Sequence, residues 1–180
     1  DVHNKNISPE NVVFTPGAKP IMFFTIMALI EPGDEVIYPN PGFPIYESMI
    51  NYVGGKAVPM ELKEEKGFNA DVDLIEQSIS DKTKLIILNS PNNPCGSVME
   101  SSDMKRVADI AKEKDIVILT DEVYKDLYFE GSHNSVYDYD GMEENVVILD
   151  GFSKSYAMTG WRLGYGIFPN QLVEPISCLL

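Results

Sequence analysis

Arginine is nearly missing from this sequence: Arg106 and Arg162 are the only two in 180 residues. Lysine and arginine together number 14 against 28 aspartates and glutamates, a formal charge of −14. A field of that sign repels phosphate backbones and anionic membranes, which excludes nucleic acid as a bulk partner. Cysteine is scarce too. Cys95 and Cys178 stand far apart with no CxxC and no Cys/His cluster, so neither a disulfide framework nor a zinc site is indicated and two free, buried thiols are expected. The longest apolar stretch, Ile21 to Ile30, is ten residues and includes Thr25, too short to span a bilayer and too far in for a secretory signal. A soluble, cytoplasmic chain is the expectation. No GxGxxG follows any candidate strand, which disfavours a dinucleotide-dependent oxidoreductase.

What is present reads as a globular chain, with 44% hydrophobic and 23% charged residues and a length that fits one continuous domain. Prolines and glycines are spread as turn punctuation between apolar segments. Those segments alternate between short β-branched runs and longer helical patterns, the signature of an α/β fold on a largely parallel sheet. The candidate strands are Asn11 to Phe14, Glu35 to Tyr38, Lys56 to Met60, Lys84 to Asn89, Ile116 to Thr120 and Val146 to Asp150. Solid apolar runs such as VVILD predict strands covered on both faces. Pro20 suits the first turn of a helix running to about Ile30, Asp71 to Ile79 has a helical pattern, and Ser101 or Ser102 can cap a helix through Ala111. Only about ten residues separate Asp150 from a strand-like run at Trp161 to Phe168, too few for a parallel crossover, so that strand is predicted to be antiparallel.

In open α/β sheets ligands bind beyond the carboxyl ends of the strands. Asn11 to Phe14 runs into TPGAK (Thr15 to Lys19) and a helix, Lys84 to Asn89 into SPNNPCG (Ser90 to Gly96), Ile116 to Thr120 into DEVY (Asp121 to Tyr124), and Val146 to Asp150 into GFSK (Gly151 to Lys154). Parallel strands bring all four to one rim. The TPGAK turn offers the N–H groups of Gly17, Ala18 and Lys19 at a helix N-terminus, which serves either an anion or an ordinary loop. Arg106 falls on the polar side of a helix and reads as solvated. Arg162, between Trp161 and Leu163 in an apolar strand, is expected to be buried and to need an anion, whether an internal carboxylate or a ligand. Asp121, at the end of an apolar strand, needs a cationic or hydrogen-bonding partner, either a lysine or a protonated ring nitrogen. Tyr124 points to the same side if a helical turn starts at Asp121. Phe43, in the turn PNPGFPIY, either offers a flat face to an aromatic ligand or joins the core.

The run GFSKSYAMTGWRLGYG (Gly151 to Gly166), with SPNNPCG, DEVY and PGAK in this order and spacing, closely resembles the fold-type I pyridoxal-phosphate aminotransferases of class I/II, the aspartate aminotransferase-like group. The resemblance covers essentially the whole chain and implies the family's large, cofactor-binding domain. That domain is a three-layer αβα fold with a mostly parallel sheet carrying one antiparallel strand. It further implies pyridoxal 5′-phosphate as cofactor, amino acid and 2-oxo acid substrates, a homodimer, and no metal. Lys154 resembles the lysine that holds the cofactor as a Schiff base and shuttles the proton, and Asp121 the carboxylate that pairs with the protonated pyridine nitrogen. Asn93 and Tyr124 resemble the donors to the phenolic oxygen, and Phe43 the aromatic that stacks on the ring. Ser153, Arg162 and the turn of Gly17, Ala18 and Lys19 resemble the phosphate clamp. Two positions depart from the pattern: Gly151 stands where many relatives have a phosphate-binding serine, and Cys95 where threonine is usual.

The resemblance also implies that the family's N-terminal segment and C-terminal small domain, with the arginine that binds the substrate α-carboxylate, fall outside these residues. The start at Asp1 without Met and the stop at Leu180 within a helical pattern lead to the same expectation of a truncated chain. A lyase of the same fold, such as a cysteine-sulfur lyase, is the alternative, since the same cofactor constellation serves both reactions. An aminotransferase-like transcriptional sensor would need a fused basic domain, for which this acidic chain gives no support.

Overall fold

The computed structural model describes residues 7–130 and 133–180. Seven strands, β1 (Val12–Pro16), β2 (Glu35–Asn40), β3 (Lys56–Glu61), β4 (Thr83–Asn89), β5 (Val117–Asp121), β6 (Val146–Gly151) and β7 (Leu163–Ile167), form one sheet in the order β1-β7-β6-β5-β4-β2-β3. The helices are α1 (Lys19–Leu29), α2 (Ile45–Tyr52), α3 (Val72–Ser78), α4 (Ser101–Glu113), α5 (Phe152–Ser155) and α6 (Asn170–Cys178).

The apolar central strands face two ways because successive side chains alternate. Ile86, Leu88, Ile118 and Ile148 pack with residues of α3 and α4 in one core. Leu85, Ile87, Leu119, Val147 and Leu149 pack with residues of α1, α2 and α6 in the other. Each fully buried aliphatic side chain contributes roughly 1.5–3 kcal/mol of transfer free energy, so two dry layers hold the sheet between its helices. The result is the three-layer αβα architecture, with β7 antiparallel to both of its neighbours.

β7 reverses direction because the link from β6 holds only the single-turn α5 and a 3₁₀ turn at Thr159–Trp161. β1 pairs antiparallel with β7, β7 antiparallel with β6, and β6 is parallel to β5 and through it to β4. The carboxyl ends of β1, β4, β5 and β6 therefore share one rim.

Several local expectations are corrected. Within PNPGFPIY only residues 41–44 form a turn: Pro39 and Asn40 end β2, and α2 begins at Ile45 and buries Tyr46 and Ile50. The α4 cap position is Glu100, with Ser101 already helical and no side-chain cap bond. The helical pattern from Asp71 becomes α3 at Val72, with Asp71 as its cap, accepting from the Asp73 N–H at 3.2 Å. Arg106 is not merely solvated: it pairs with Asp73 at 2.6 Å and Glu76 at 2.9 Å, joining α4 to α3. Cys95 and Cys178 are free thiols, but Cys95, in the loop after β4, is half-buried and Cys178, on the last turn of α6, is exposed. Among the described residues no helix is long and apolar enough to cross a membrane.

Candidate active site

The shared rim opens on a cavity of about 310 Å³, at the small end of the range for ligand sites. Ala18, Lys19, Phe43, Asn93, Asp121, Tyr124, Ser153, Lys154 and Arg162 all line it. Gly17, the remaining candidate, lies against the Arg162 guanidinium.

Asp121 ends β5 and is 7% exposed. The Tyr46 hydroxyl donates to its Oδ2 at 2.6 Å and the Val123 N–H to its Oδ1 at 3.3 Å. Burial pushes the Asp121 carboxyl up to about 6, against the downward pull of the Tyr46 bond. Burial, with the Asp121 charge adding to it, holds the Tyr46 phenol well above its ordinary value. Among the described residues no cationic side chain pairs with Asp121, so the lysine that the sequence allows as partner is replaced by a neutral phenol. The carboxyl is left facing a cavity with capacity for a cation.

Asn89, the last residue of β4, joins two of the predicted segments. Its amide donates to the Asp121 carbonyl at 3.0 Å, and its Oδ1 accepts from the Asn93 N–H at 2.7 Å. Asn89→Leu is expected to lower the unfolding free energy by about 1–3 kcal/mol in a urea titration, because it strips a partner from two main-chain groups at once.

Arg162 departs from its sequence reading. It has a left-handed backbone (φ 51°), precedes β7 and is exposed, with Nη1 donating to the Thr159 carbonyl at 3.2 Å. The 3₁₀ turn before it lifts the residue out of the strand, so the guanidinium lies at the cavity edge; among the described residues no carboxylate pairs with it. Gly17 adopts φ +82°, and a Cβ there would collide with Arg162 Nη2. Gly164 of β7 serves the same approach from below, since a Cβ on it would strike the Gly17–Ala18 backbone. The turn is pinned by Thr15, whose hydroxyl donates to the Gly17 carbonyl at 2.7 Å. It presents the Ala18 and Lys19 N–H groups at the start of α1 to the Arg162 side of the cavity, while Pro20 has no N–H and the Ile21 N–H is taken by the Ala18 carbonyl.

Lys154, on α5, is exposed, and its Nζ stands 5.6 Å from the centre of the Tyr124 ring. Tyr124 shares the cavity with Asp121 through a hydrogen-bonded turn rather than a helix. Phe43 is half-buried, with its ring edge-on to Tyr46 at 5.8 Å and the Lys19 Nζ 5.7 Å from its centre. It lies at the margin between core and cavity.

The model of one family, described as aminotransferase class I and II, matches residues 1–179. The chain belongs to the class I and II aminotransferase family. It is 40% identical over 179 residues to a probable aspartate aminotransferase of Methanocaldococcus jannaschii, covering 99% of this chain and 46% of that protein. It is 36% identical over 177 residues to an aspartate aminotransferase of Sulfolobus acidocaldarius, covering 97% of this chain and 44% of that one. A double mutant of Thermus thermophilus aspartate aminotransferase superposes with a TM-score of 0.95 at 32% identity, over 99% of this chain and 46% of that structure. The chain thus spans a little under half the length of these class I and II aminotransferases.

The residues that sequence reasoning misses are Tyr46 and Asn89, which position Asp121, and Thr159, which supports Arg162. Tyr46 lies three residues after Phe43, the spacing of one helical turn, but reading PNPGFPIY as a single turn hides it.

Proposed function

We propose that this chain is the cofactor-binding part of a pyridoxal-phosphate-dependent aminotransferase that moves an amino group between an amino acid and a 2-oxo acid. The observation that carries the reading is Asp121: a buried carboxyl with a raised proton affinity, without a cation of its own, facing a cavity with an amine on one wall and a guanidinium at the edge. Its chemistry fits a flat cationic ring carrying a phosphate. Asp121 would hold the ring nitrogen protonated, Tyr124 and Asn93 would donate to the phenolic oxygen, and Phe43 would lie against the ring. Arg162, Ser153 and the Gly17, Ala18 and Lys19 turn would hold the phosphate, with the guanidinium supplying a two-pronged contact. When bound, the group supplies an electron sink that makes the α-proton of an amino acid acidic. The Lys154 amine would then take and return that proton, as a base that needs its uncharged form for part of the cycle.

The aminotransferase names of the relatives favour transfer over the lyase reading. A homodimer would cover exposed aromatic side chains such as Tyr52, 74% accessible, and Trp161, 75% accessible. A cytoplasmic location fits the cysteine-poor composition.

The decisive experiment is to load the full chain with pyridoxal phosphate, reduce it with borohydride and map the modified peptide by mass. The adduct is expected on Lys154 and is expected to be lost in Lys154→Ala. An adduct on another lysine, or none, overturns the cofactor assignment.

A further inference from the structure

Behind the cavity, on the opposite face of β6, lies a second polar cluster. Leu149 faces the cavity, so the next residue, Asp150, points to the other side of the sheet. Asp150 Oδ2 receives the Lys125 ammonium and, at 2.5 Å, the Tyr165 hydroxyl. Lys125 Nζ is also 3.4 Å from the Tyr165 oxygen. The two charged side chains are only 7% and 4% exposed. Tyr165 is the register partner of Asp150 across β6 and β7, and its ring stands 5.8 Å from that of Phe152, the first residue of α5.

The connectivity gives the cluster its meaning. Lys125 directly follows Tyr124 in the turn after β5, and Asp150 precedes Lys154 by four residues at the end of β6. One ion pair therefore fastens the segment that carries Tyr124 to the segment that carries Lys154, and Tyr165 holds the second segment twice, by its hydroxyl and by its ring. For stability alone an ion pair here is a poor choice, since the desolvation of two buried charges offsets most of their attraction and an apolar pair of similar volume does as well. What an ion pair adds is direction: the charged hydrogen bonds fix where each backbone segment points, and an apolar contact does not.

We propose that Lys125, Asp150 and Tyr165 are positioning residues that set the alignment of Lys154 and Tyr124 across the cavity. This rests on the cofactor reading above. Neither Lys125 nor Asp150 lines the cavity, so they act through the segments they join.

The test compares the double variant Lys125→Met/Asp150→Leu with Lys125→Met and Tyr165→Phe, each in the full chain loaded with pyridoxal phosphate. Lys125→Met alone leaves a buried carboxylate unpaired and is expected to lower the Tm. The double variant is expected to recover most of that Tm. Its kcat is nonetheless expected to stay about tenfold low, with KM for the amino acid within about twofold, because misdirected reacting groups lose rate before they lose binding. The visible circular dichroism of the bound cofactor, which reports its orientation, is expected to weaken in the double variant. Tyr165→Phe, which keeps the ring packing, is expected to fold normally and to shift the same signal in the same direction. A double variant that regains Tm, kcat and circular dichroism together overturns the positioning role, and so does a Tyr165→Phe protein that matches wild type in both kcat and spectrum. A wild-type chain that shows no cofactor signal at all overturns the cofactor reading itself, and this inference with it.

Discussion

Asp121→Ala is expected to lower kcat/KM for amino-group transfer by about 10³-fold, the scale of losing one preorganised charged partner at a reacting centre. The loss should fall mainly on kcat, since the carboxylate matters for electron withdrawal by the ring more than for holding substrate. The same residue makes a prediction for the cofactor-free protein. Its carboxyl is raised from 3.8 to about 6 in the fold. Between those values the native state keeps a proton that the unfolded chain releases, so native stability falls as pH rises through that window. The sign is opposite to that of a salt-bridged aspartate, and the fall amounts to about 3 kcal/mol for a shift of this size. Asp121→Asn has no charge to bury and is expected to lack this component. Urea titrations of cofactor-free wild type and Asp121→Asn at steps from pH 4 to 7 should diverge, with the variant gaining relative stability toward pH 7. Parallel curves would show that the carboxyl is not held up by burial. Tyr46→Phe is expected to move the wild-type inflection to higher pH, because the hydroxyl that pulls the carboxyl down is gone.

Much of this site is legible in the sequence because its parts are anchored to strand ends. VVILD and IVILT are short apolar runs that read as doubly covered strands, and once these are parallel, GFSK and DEVY emerge at the same edge. The reversal of β7 follows from a count of residues in the link. What is not legible depends on contacts between segments distant along the chain. Tyr46 meets Asp121 across 75 residues, and nothing in either neighbourhood announces the bond. The Lys125 and Asp150 pair is hidden for the same reason: on paper Lys125 is one more charge in KDLYFEG, and only the parallel pairing of β5 with β6 brings it to Asp150. Arg162 fails differently. WRLGYG reads as strand because its apolar residues continue smoothly, but the 3₁₀ turn at Thr159–Trp161 ends one residue short of Arg162, which takes the left-handed conformation and leaves the strand to start at Leu163. The burial argument for an anion lapses with that correction, and what remains is an exposed guanidinium at the cavity edge that is available to one.

Gly17→Ala is expected to weaken the affinity for pyridoxal phosphate by at least about tenfold. The backbone strain of an alanine at φ +82° accounts for roughly 1 kcal/mol of lost stability. The larger effect is local: the new methyl group occupies the position of Arg162 Nη2, so the guanidinium must swing away from the turn that carries the Ala18 and Lys19 N–H groups. Arg162→Lys separates the two contributions. It leaves the turn unstrained and keeps the charge but loses the planar fork, so it should weaken the cofactor to a similar degree without lowering the Tm of the cofactor-free protein. Gly17→Ala should do both. Absorbance titration gives the affinity and thermal unfolding without cofactor gives the strain. If the phosphate is held at this turn, added inorganic phosphate should compete with the cofactor in wild type and compete poorly in both variants. A Gly17→Ala protein with lower Tm and wild-type affinity would mean that the cradle is structural and that the phosphate binds elsewhere in the cavity.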